Sequence, residues 1–384
     1  MEYPKLRPHR PGATALAAFI IAALTPWAPP ASADDSSLSE SDFLERTRRL
    51  TFEGKRAGEG YFSPDGRQMV FQSERSADNP FYQIFLLDMM TGDVERISSG
   101  VGKTTCAFIR PGSSEILYGS THHDPRSKEL QKEELDFRAS GQERRYAWDY
   151  DPEMELWVTD AKTGESTRLT DAKGYDAEAS YSPDGEWIVY TTTRSAFDRE
   201  LTKEQKKLLE VDPAFFAELH IMRADGSDDT RLTHVDGYDG GPFFFPDGER
   251  IIWRRFREDG LTADIYSMKT DGTDVKRLTN FGAMSWAPYV HPSGEYVFFA
   301  SNKLGFSNFE VFMVDVEGQK EPVQVTYADG FDGLPVPTPD GKQLTWTSSG
   351  RHDGGGGQIY IASWNHANAQ KALAAAPPRT ENQE

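Results

Sequence analysis

One short motif recurs along the chain and limits the fold more than any other feature. "YSPDGEWIVY" (Tyr181–Tyr190) places a Pro-Asp-Gly turn between two runs rich in aromatic and β-branched residues. Proline presets φ for the turn and glycine supplies a left-handed position, so the stretch reads as a β-hairpin. "YFSPDGRQMVF" begins at Tyr61, "FFPDGERIIW" at Phe244, "VHPSGEYVFF" at Val290 and "PTPDGKQLTW" at Pro337, with a degenerate copy, "FIRPGSSEILY", at Phe108. The hairpin prolines Pro64, Pro111, Pro183, Pro246, Pro292 and Pro339 are spaced 47, 72, 63, 46 and 47 residues apart. Three intervals agree, and the two longer ones fit the same unit with insertions of about 25 and 16 residues. A period in the forties with four strands per unit is the pattern of propeller blades.

The rest of the unit can be read in order. Strand A ends at the Pro-Asp-Gly turn and strand B follows it, as in "WIVYTTT" (Trp187–Thr193). Strand C is the alternating run "ELHIMRADG" from Glu218, repeated as "QIFLLD" from Gln83, "ELWVTD" from Glu155, "DIYSMKTDG" from Asp264 and "EVFMVD" from Glu310. Strand D carries "RLT" at Arg168, Arg231 and Arg277, with variants at Arg96 and Gln324. Six A strands need six D strands, but the last unit reaches "QIYIASWN" (Gln358–Asn365) and passes into an alanine-rich end. The missing copy is Arg49-Leu50-Thr51, ahead of the first strand A. The expected fold is all-β: a six-bladed β-propeller closed by an N-terminal strand, with two short helical insertions. Closure removes the exposed edges that an open sheet would present.

The unit from "GYDAEASYSPDGEWIVY" to "ELHIMRADGSDDTRLT" resembles the WD40-like (PD40) repeat of TolB-like periplasmic β-propellers. "STHHD" (Ser120–Asp124), "DPEMELWVTDA" (Asp151–Ala161), "GYDGGPFF" (Gly237–Phe244) and "WAPYVHPSG" (Trp286–Gly294) are similar to a subgroup of secreted TolB-like proteins. The resemblance runs from Glu45 to Asn365. It implies the fold; function is open, because propellers host binding, scaffolding and catalysis alike. The N-terminal α/β domain of TolB itself is not expected here.

The start of the chain carries an export pattern. Lys5, Arg7 and Arg10 precede the apolar run "ATALAAFIIAAL" (Ala13–Leu24), and "ASA" (Ala31–Ala33) offers a cleavage site. The run is too short to span a bilayer. Residues 1–33 are therefore expected to be a signal peptide cleaved after Ala33, 34–42 a linker, 43–366 the propeller and 367–384 a disordered tail. No transmembrane anchor is expected after cleavage, and the expected location is the periplasm. Cleavage removes three cations and Glu2, taking the net charge from −19 to −21. Such charge disfavours nucleic acid as a partner. The one cysteine, Cys106, rules out an intramolecular disulfide and reads as a buried apolar side chain.

Propeller topology sorts the loops. The A–B and C–D turns share one face; the B–C and D–A loops, with both insertions, share the other, where functional variation concentrates. Seven residues before the hairpin prolines stand Ala57, Thr104, Asp176, Asp239, Ser285 and Asp332, expected to ring the channel mouth with Glu59 and Glu178 nearby. The three aspartates either capture a cationic group or a metal, or bond backbone amides of the neighbouring blade and lock the ring. Eleven residues after the prolines stand Arg75, His122, Arg194, Arg257 and Lys303, then Gly350 with Arg351 beside it. These either hold anionic groups or pair with the D–A aspartates between blades. His122, His123, Arg351 and His352 form the histidine-bearing clusters of this face. The insertions Asp124–Pro152 and Ser195–His220 have helical composition and are expected to cap the channel, the first ending in Tyr146, Trp148 and Tyr150.

Tyr146, Trp148 and Tyr150 join Asp176, Glu178, Asp239, Asp332, His122, His123, Arg194, Arg257, Arg351 and His352 as candidate ligand- or partner-binding residues. No metal or other cofactor is expected. No G-x-S-x-G elbow or H-E-x-x-H motif occurs. The expected function is an exported, non-enzymatic module binding a protein or small ligand in the cell envelope. The alternatives are a metal-assisted propeller lyase and an accessory domain to a secreted peptidase.

Overall fold

The computed structural model describes residues 38–142, 150–258 and 260–380. Each Pro-Asp-Gly turn joins a strand A to a strand B, and each pair extends into a four-stranded antiparallel sheet. The A strands are Arg56–Phe62, Thr104–Ile109, Asp176–Tyr181, Asp239–Phe244, Ser285–Val290 and Asp332–Pro337, which begin blades 1 to 6. Blades 1 to 5 take their four strands from consecutive sequence, and blade 6 takes its outermost strand from the N-terminus. The fold is a six-bladed β-propeller. Its core lies between blades: Tyr118 of blade 2 packs with Phe71 and Phe85 of blade 1, and Val189 and Leu219 of blade 3 with Ile251 and Trp253 of blade 4.

The closing strand spans Leu44–Arg49, slightly ahead of the RLT motif expected to form it. Leu44 faces Trp364 and Arg49 faces Tyr360 across the pair. Thr51 shows what the motif does. Its hydroxyl accepts the Ile359 N–H at 2.9 Å and donates to Gln358 Oε1 at 2.8 Å. The same contact recurs around the ring: Thr170 to Leu156, Thr233 to Leu219, Thr279 to Ile265 and Thr326 to Val311. The RLT arginine bonds the carbonyl of that threonine and pairs with the acidic residue that starts strand C, as in Arg277–Asp264 at 2.7 Å. The repeat is thus a hydrogen-bonding device that pins strand D to strand C beyond the end of the ladder.

Among the described residues, four α-helices accompany the strands. Helix α1 (Glu40–Phe43) begins in the expected linker and ends at the first residue of the expected propeller, the buried Phe43, which packs on Trp364 with ring centroids 5.9 Å apart. Helix α2 (Ser127–Ala139) belongs to the first insertion; Gln131 accepts the Gly102 N–H and Arg138 pairs with Glu74, which anchors it on the rim of blades 1 and 2. Helix α3 (Lys203–Val211), in the second insertion, buries none of its residues. Helix α4 (His366–Ala375) corrects the expected disordered tail. Asn365 caps it by accepting the Asn368 N–H, and Ala369 and Leu373 are buried beside Phe43 and Trp364. Its alanines are strong helix formers, and the closing strand supplies an apolar surface to dock on. The expected signal peptide and cleavage site lie outside the described residues.

Candidate binding face and central well

Every strand A is bulged against its strand B, with the register slipping five residues before the hairpin proline. The bulged residues are Glu59, Cys106, Glu178, Gly241, Ala287 and Leu334, all with φ between 52° and 59°. A bulge re-aims its side chain, and here it brings groups from four blades together on the axis. Glu59 of blade 1 shares a hydrogen bond with Cys106 of blade 2 and feels the Glu178 carboxylate of blade 3. Burial, then Glu178, push the Glu59 carboxyl up to about 7 despite that bond. Burial also pushes the Cys106 thiol well up, so it is not a reactive thiolate.

Glu178 is the most heavily bonded member. It accepts the Tyr238 hydroxyl, the Gly241 N–H at 2.7 Å and Arg254 Nη2 at 3.0 Å. Arg254 also bonds Tyr238 and lies between the rings of Tyr238 and Trp286. Burial is the largest influence on Arg254 and opposes its charge, but Glu178 together with Tyr238, Tyr150 and Cys106 more than offsets it and holds the guanidinium charged. Gly241 is required here: a Cβ would collide with Arg254 Nη1. Towards the Pro-Asp-Gly face the channel is filled by Tyr61, Phe108, Phe243 and Tyr289, with Tyr61–Phe243 at 5.2 Å and Phe243–Tyr289 at 5.0 Å. The axis is thus a polar well above an aromatic floor.

The expected acidic funnel takes a different form. Asp176, Asp239 and Asp332 start their strands as predicted but are 0%, 1% and 1% exposed, each under an arginine of its own blade. Arg194 Nη2 lies 2.7 Å from Asp176 and its Nη1 2.7 Å from Asp229. Arg255 grips Asp239 with two bonds of 2.7 and 2.8 Å, and Trp253 Nε1 adds a third. Arg351 bridges Asp332 to Glu40 of α1, both at 2.7 Å. The pairs therefore form within blades, not between them. Burial raises the Asp176 and Asp332 carboxyls, opposed by their arginines. In blade 4 the partner is Arg255; Arg257, the expected one, is exposed two residues further on.

The remaining candidates scatter. His122 lies tilted against Trp157, ring centroids 4.1 Å apart, with Nδ1 bonded to Ser120, and His123 lies 6.0 Å from the same ring. Burial lowers both imidazoles. His352 sits beside Tyr360 in blade 6, away from them. Tyr150 packs edge-on against Tyr175 and Tyr238, so it walls the well. Tyr146 and Trp148 lie outside the described residues. Among the described residues no group of three or more His, Cys, Asp or Glu is gathered to hold a metal ion.

The well-bearing face also carries most of the exposed apolar surface. Among the described residues, eight of the twelve large apolar side chains that stand exposed are on its D–A and B–C loops: Phe52, Phe197, Val211, Val235, Leu261, Leu304, Phe306 and Tyr327. Phe306 is 77% and Leu261 66% exposed. Single exposed apolar residues are ordinary; their concentration on one face is not. The sequence reading missed these residues, although each lies in a loop it assigned to the variable face.

No protein-family model matches the chain. Solved structures show the fold. A TolB-assigned protein of Agrobacterium tumefaciens is 19% identical with a TM-score of 0.53, over 80% of this chain and 90% of that one. TolB of Acinetobacter baumannii is 17% identical with a TM-score of 0.51, over 81% and 64%. An oligogalacturonate lyase in complex with manganese is 16% identical with a TM-score of 0.50, over 84% and 94%. The structural neighbours are thus TolB-like propellers together with a propeller lyase. Among curated proteins, the uncharacterized peptidase YuxL of Bacillus subtilis is 24% identical over 154 residues, 38% of this chain. The match spans 23% of that peptidase.

Proposed function

We propose that the chain is an exported, non-enzymatic propeller that binds a protein or small ligand in the cell envelope, through the face carrying the D–A and B–C loops. The observation that carries this reading is the exposed apolar ring of Phe52, Val235, Leu261, Phe306 and Tyr327 around the polar well. A rigid scaffold with an apolar rim and a few buried polar groups suits recognition. The TolB-like neighbours support a propeller scaffold and, with the signal pattern, the periplasm as its location; no helix among the described residues is long and apolar enough to cross a membrane. Affinity capture from envelope extract tests it. Phe306→Asp with Leu261→Asp should cut capture by about 2 kcal/mol, roughly thirtyfold, while Glu186→Lys on the Pro-Asp-Gly face leaves it alone. The reverse pattern rejects the assignment.

The second reading is an enzyme or an accessory to one, favoured by the likeness to part of the peptidase YuxL. Metal analysis of purified protein together with a peptidase-partner assay separates it from the first. Stoichiometric metal, or stimulation of a secreted peptidase, decides for the second reading.

A further inference from the structure

On the Pro-Asp-Gly face, the residue just before the hairpin proline bonds the turn glycine of the next blade at two junctions. At the junction of blades 2 and 3 it is Arg110, whose Nε donates to the Gly185 carbonyl at 2.9 Å while the guanidinium lies over Tyr181. At blades 5 and 6 it is His291, with Nε2 3.3 Å from the Gly341 carbonyl. At blades 3 and 4 it is Ser182, and its hydroxyl turns back to Asp184 at 2.5 Å. Serine is too short to cross. Gly248, the counterpart of Gly185 and Gly341, lacks this fastening; Ser63 and Thr338 also turn back, to Asp65 and Asp340, but a groove of about 670 Å³ opens beside Gly248.

The groove has a definite chemistry. Its floor is Ile221, Leu232 and Phe244, with Trp187 as one wall. Asp184, Asp228, Asp247 and Asp271 stand around it. Hydrogen bonds from Ser182 and Thr273 hold the Asp184 and Asp271 carboxyls below their usual range, so both are charged at neutral pH. The nearby cation is Arg223, which lies 4.1 Å over the Trp187 ring and 3.5 Å from Asp228. Along Ser182, Pro183 and Phe244 the groove runs into a funnel of about 260 Å³ on the axis, bounded by all six hairpin prolines with Phe108, Phe243 and Tyr289.

We propose that this groove binds an arginine side chain of an extended partner peptide. The partner's guanidinium does between blades 3 and 4 what Arg110 does between blades 2 and 3: it donates to the glycine carbonyl of the hairpin turn. Its remaining N–H groups face the four aspartates and its plane lies on the apolar floor. A guanidinium suits the place better than an ammonium, because it is planar, weakly hydrated and carries several donors in a fixed fork. An apolar neighbour of the arginine occupies the axial funnel. The site is separate from the well on the opposite face and stands or falls independently of it.

Fluorescence anisotropy with the full chain and a fluorescein-labelled Phe-Ala-Arg peptide tests the proposal, with a citrulline-for-arginine twin that is isosteric but uncharged. The arginine peptide should bind at least about tenfold tighter than its twin. Ser182→Arg supplies the missing guanidinium from the chain itself, so it should weaken binding about tenfold while keeping or raising the melting temperature. Asp247→Asn with Asp271→Asn, both at exposed turn positions, should also weaken binding, and Glu165→Gln, an exposed charge at the blade 2 C–D turn, should not. Equal binding of the two peptides, absence of binding, or unchanged affinity in folded Ser182→Arg overturns the site. An equal loss from Glu165→Gln and from the Asp247/Asp271 variant also overturns it, because attraction to the acidic protein as a whole would then explain the binding.

Discussion

Closure of the ring depends on Phe43, and the substitution Phe43→Ala isolates that dependence. The side chain is fully buried at the end of α1, stacked on Trp364 and packed with Tyr296, Phe298 and Leu373. Its carbonyl accepts the Asn365 N–H at 2.9 Å, so the residue ties the closing strand to the start of α4. Truncating a buried phenylalanine costs about 3–5 kcal/mol, through lost apolar burial and the cavity left behind. Unfolding entropy of about 2.1 cal/mol/K per residue, over roughly 340 residues, converts about 4 kcal/mol into a fall of about 5–6 °C in Tm. Phe52→Ala, in the same segment but 70% exposed, is the control and should stay within about 0.5 kcal/mol of wild type. Calorimetry or thermal circular dichroism reads both. If Phe43→Ala melts with wild type, or if the two variants fall equally, the N-terminal segment does not lock blade 6 and the reasoning fails.

Three further outcomes are expected. Arg255→Ala strands the buried Asp239 carboxylate with only Trp253 Nε1 as a side-chain partner and should cost about 3–5 kcal/mol in urea unfolding; a loss below about 1 kcal/mol would mean that water reaches the pair. Glu59 binds its proton more tightly folded than unfolded, so its stabilising contribution is complete below pH 4.5 and fades as pH rises to about 7. The stability of wild type relative to Glu59→Gln should therefore fall by on the order of 1–3 kcal/mol between pH 4.5 and 7.5, and a difference that is flat or rises with pH refutes the burial of that carboxyl. Intact-mass measurement of exported protein should find a chain starting at Asp34; a soluble exported chain starting at Met1 contradicts the export reading.

The fold was legible because the Pro-Asp-Gly hairpin is local: its turn chemistry and spacing need no knowledge of tertiary contacts. Even the circular closure could be counted, since one RLT motif stood at the wrong end of the chain. Helix α4 was not legible, because its stability comes from packing on Phe43 and Trp364, which the sequence does not place beside it. The site was half visible. Counting from the prolines placed Asp176, Asp239 and Asp332 at their strand starts, but not under arginines of their own blades. In blade 4 the count chose Arg257 over Arg255; the two share a side of the chain, but Arg255 stands directly opposite Asp239 in the register and Arg257 lies past the end of strand B. The bulge hid the true channel ring: counting back five from each proline would have found Glu59, Cys106, Glu178 and Gly241 together.

The proposed binding face is tested most directly by quantitative capture from envelope extract on three forms of the full chain: wild type, Phe306→Asp with Leu261→Asp, and Glu186→Lys. Thermal melting first establishes that all three are folded. The proposal predicts a partner retained by wild type and Glu186→Lys and depleted roughly thirtyfold by the Phe306/Leu261 variant. A partner lost with Glu186→Lys and retained by the Phe306/Leu261 variant contradicts it and moves the principal binding site to the Pro-Asp-Gly face.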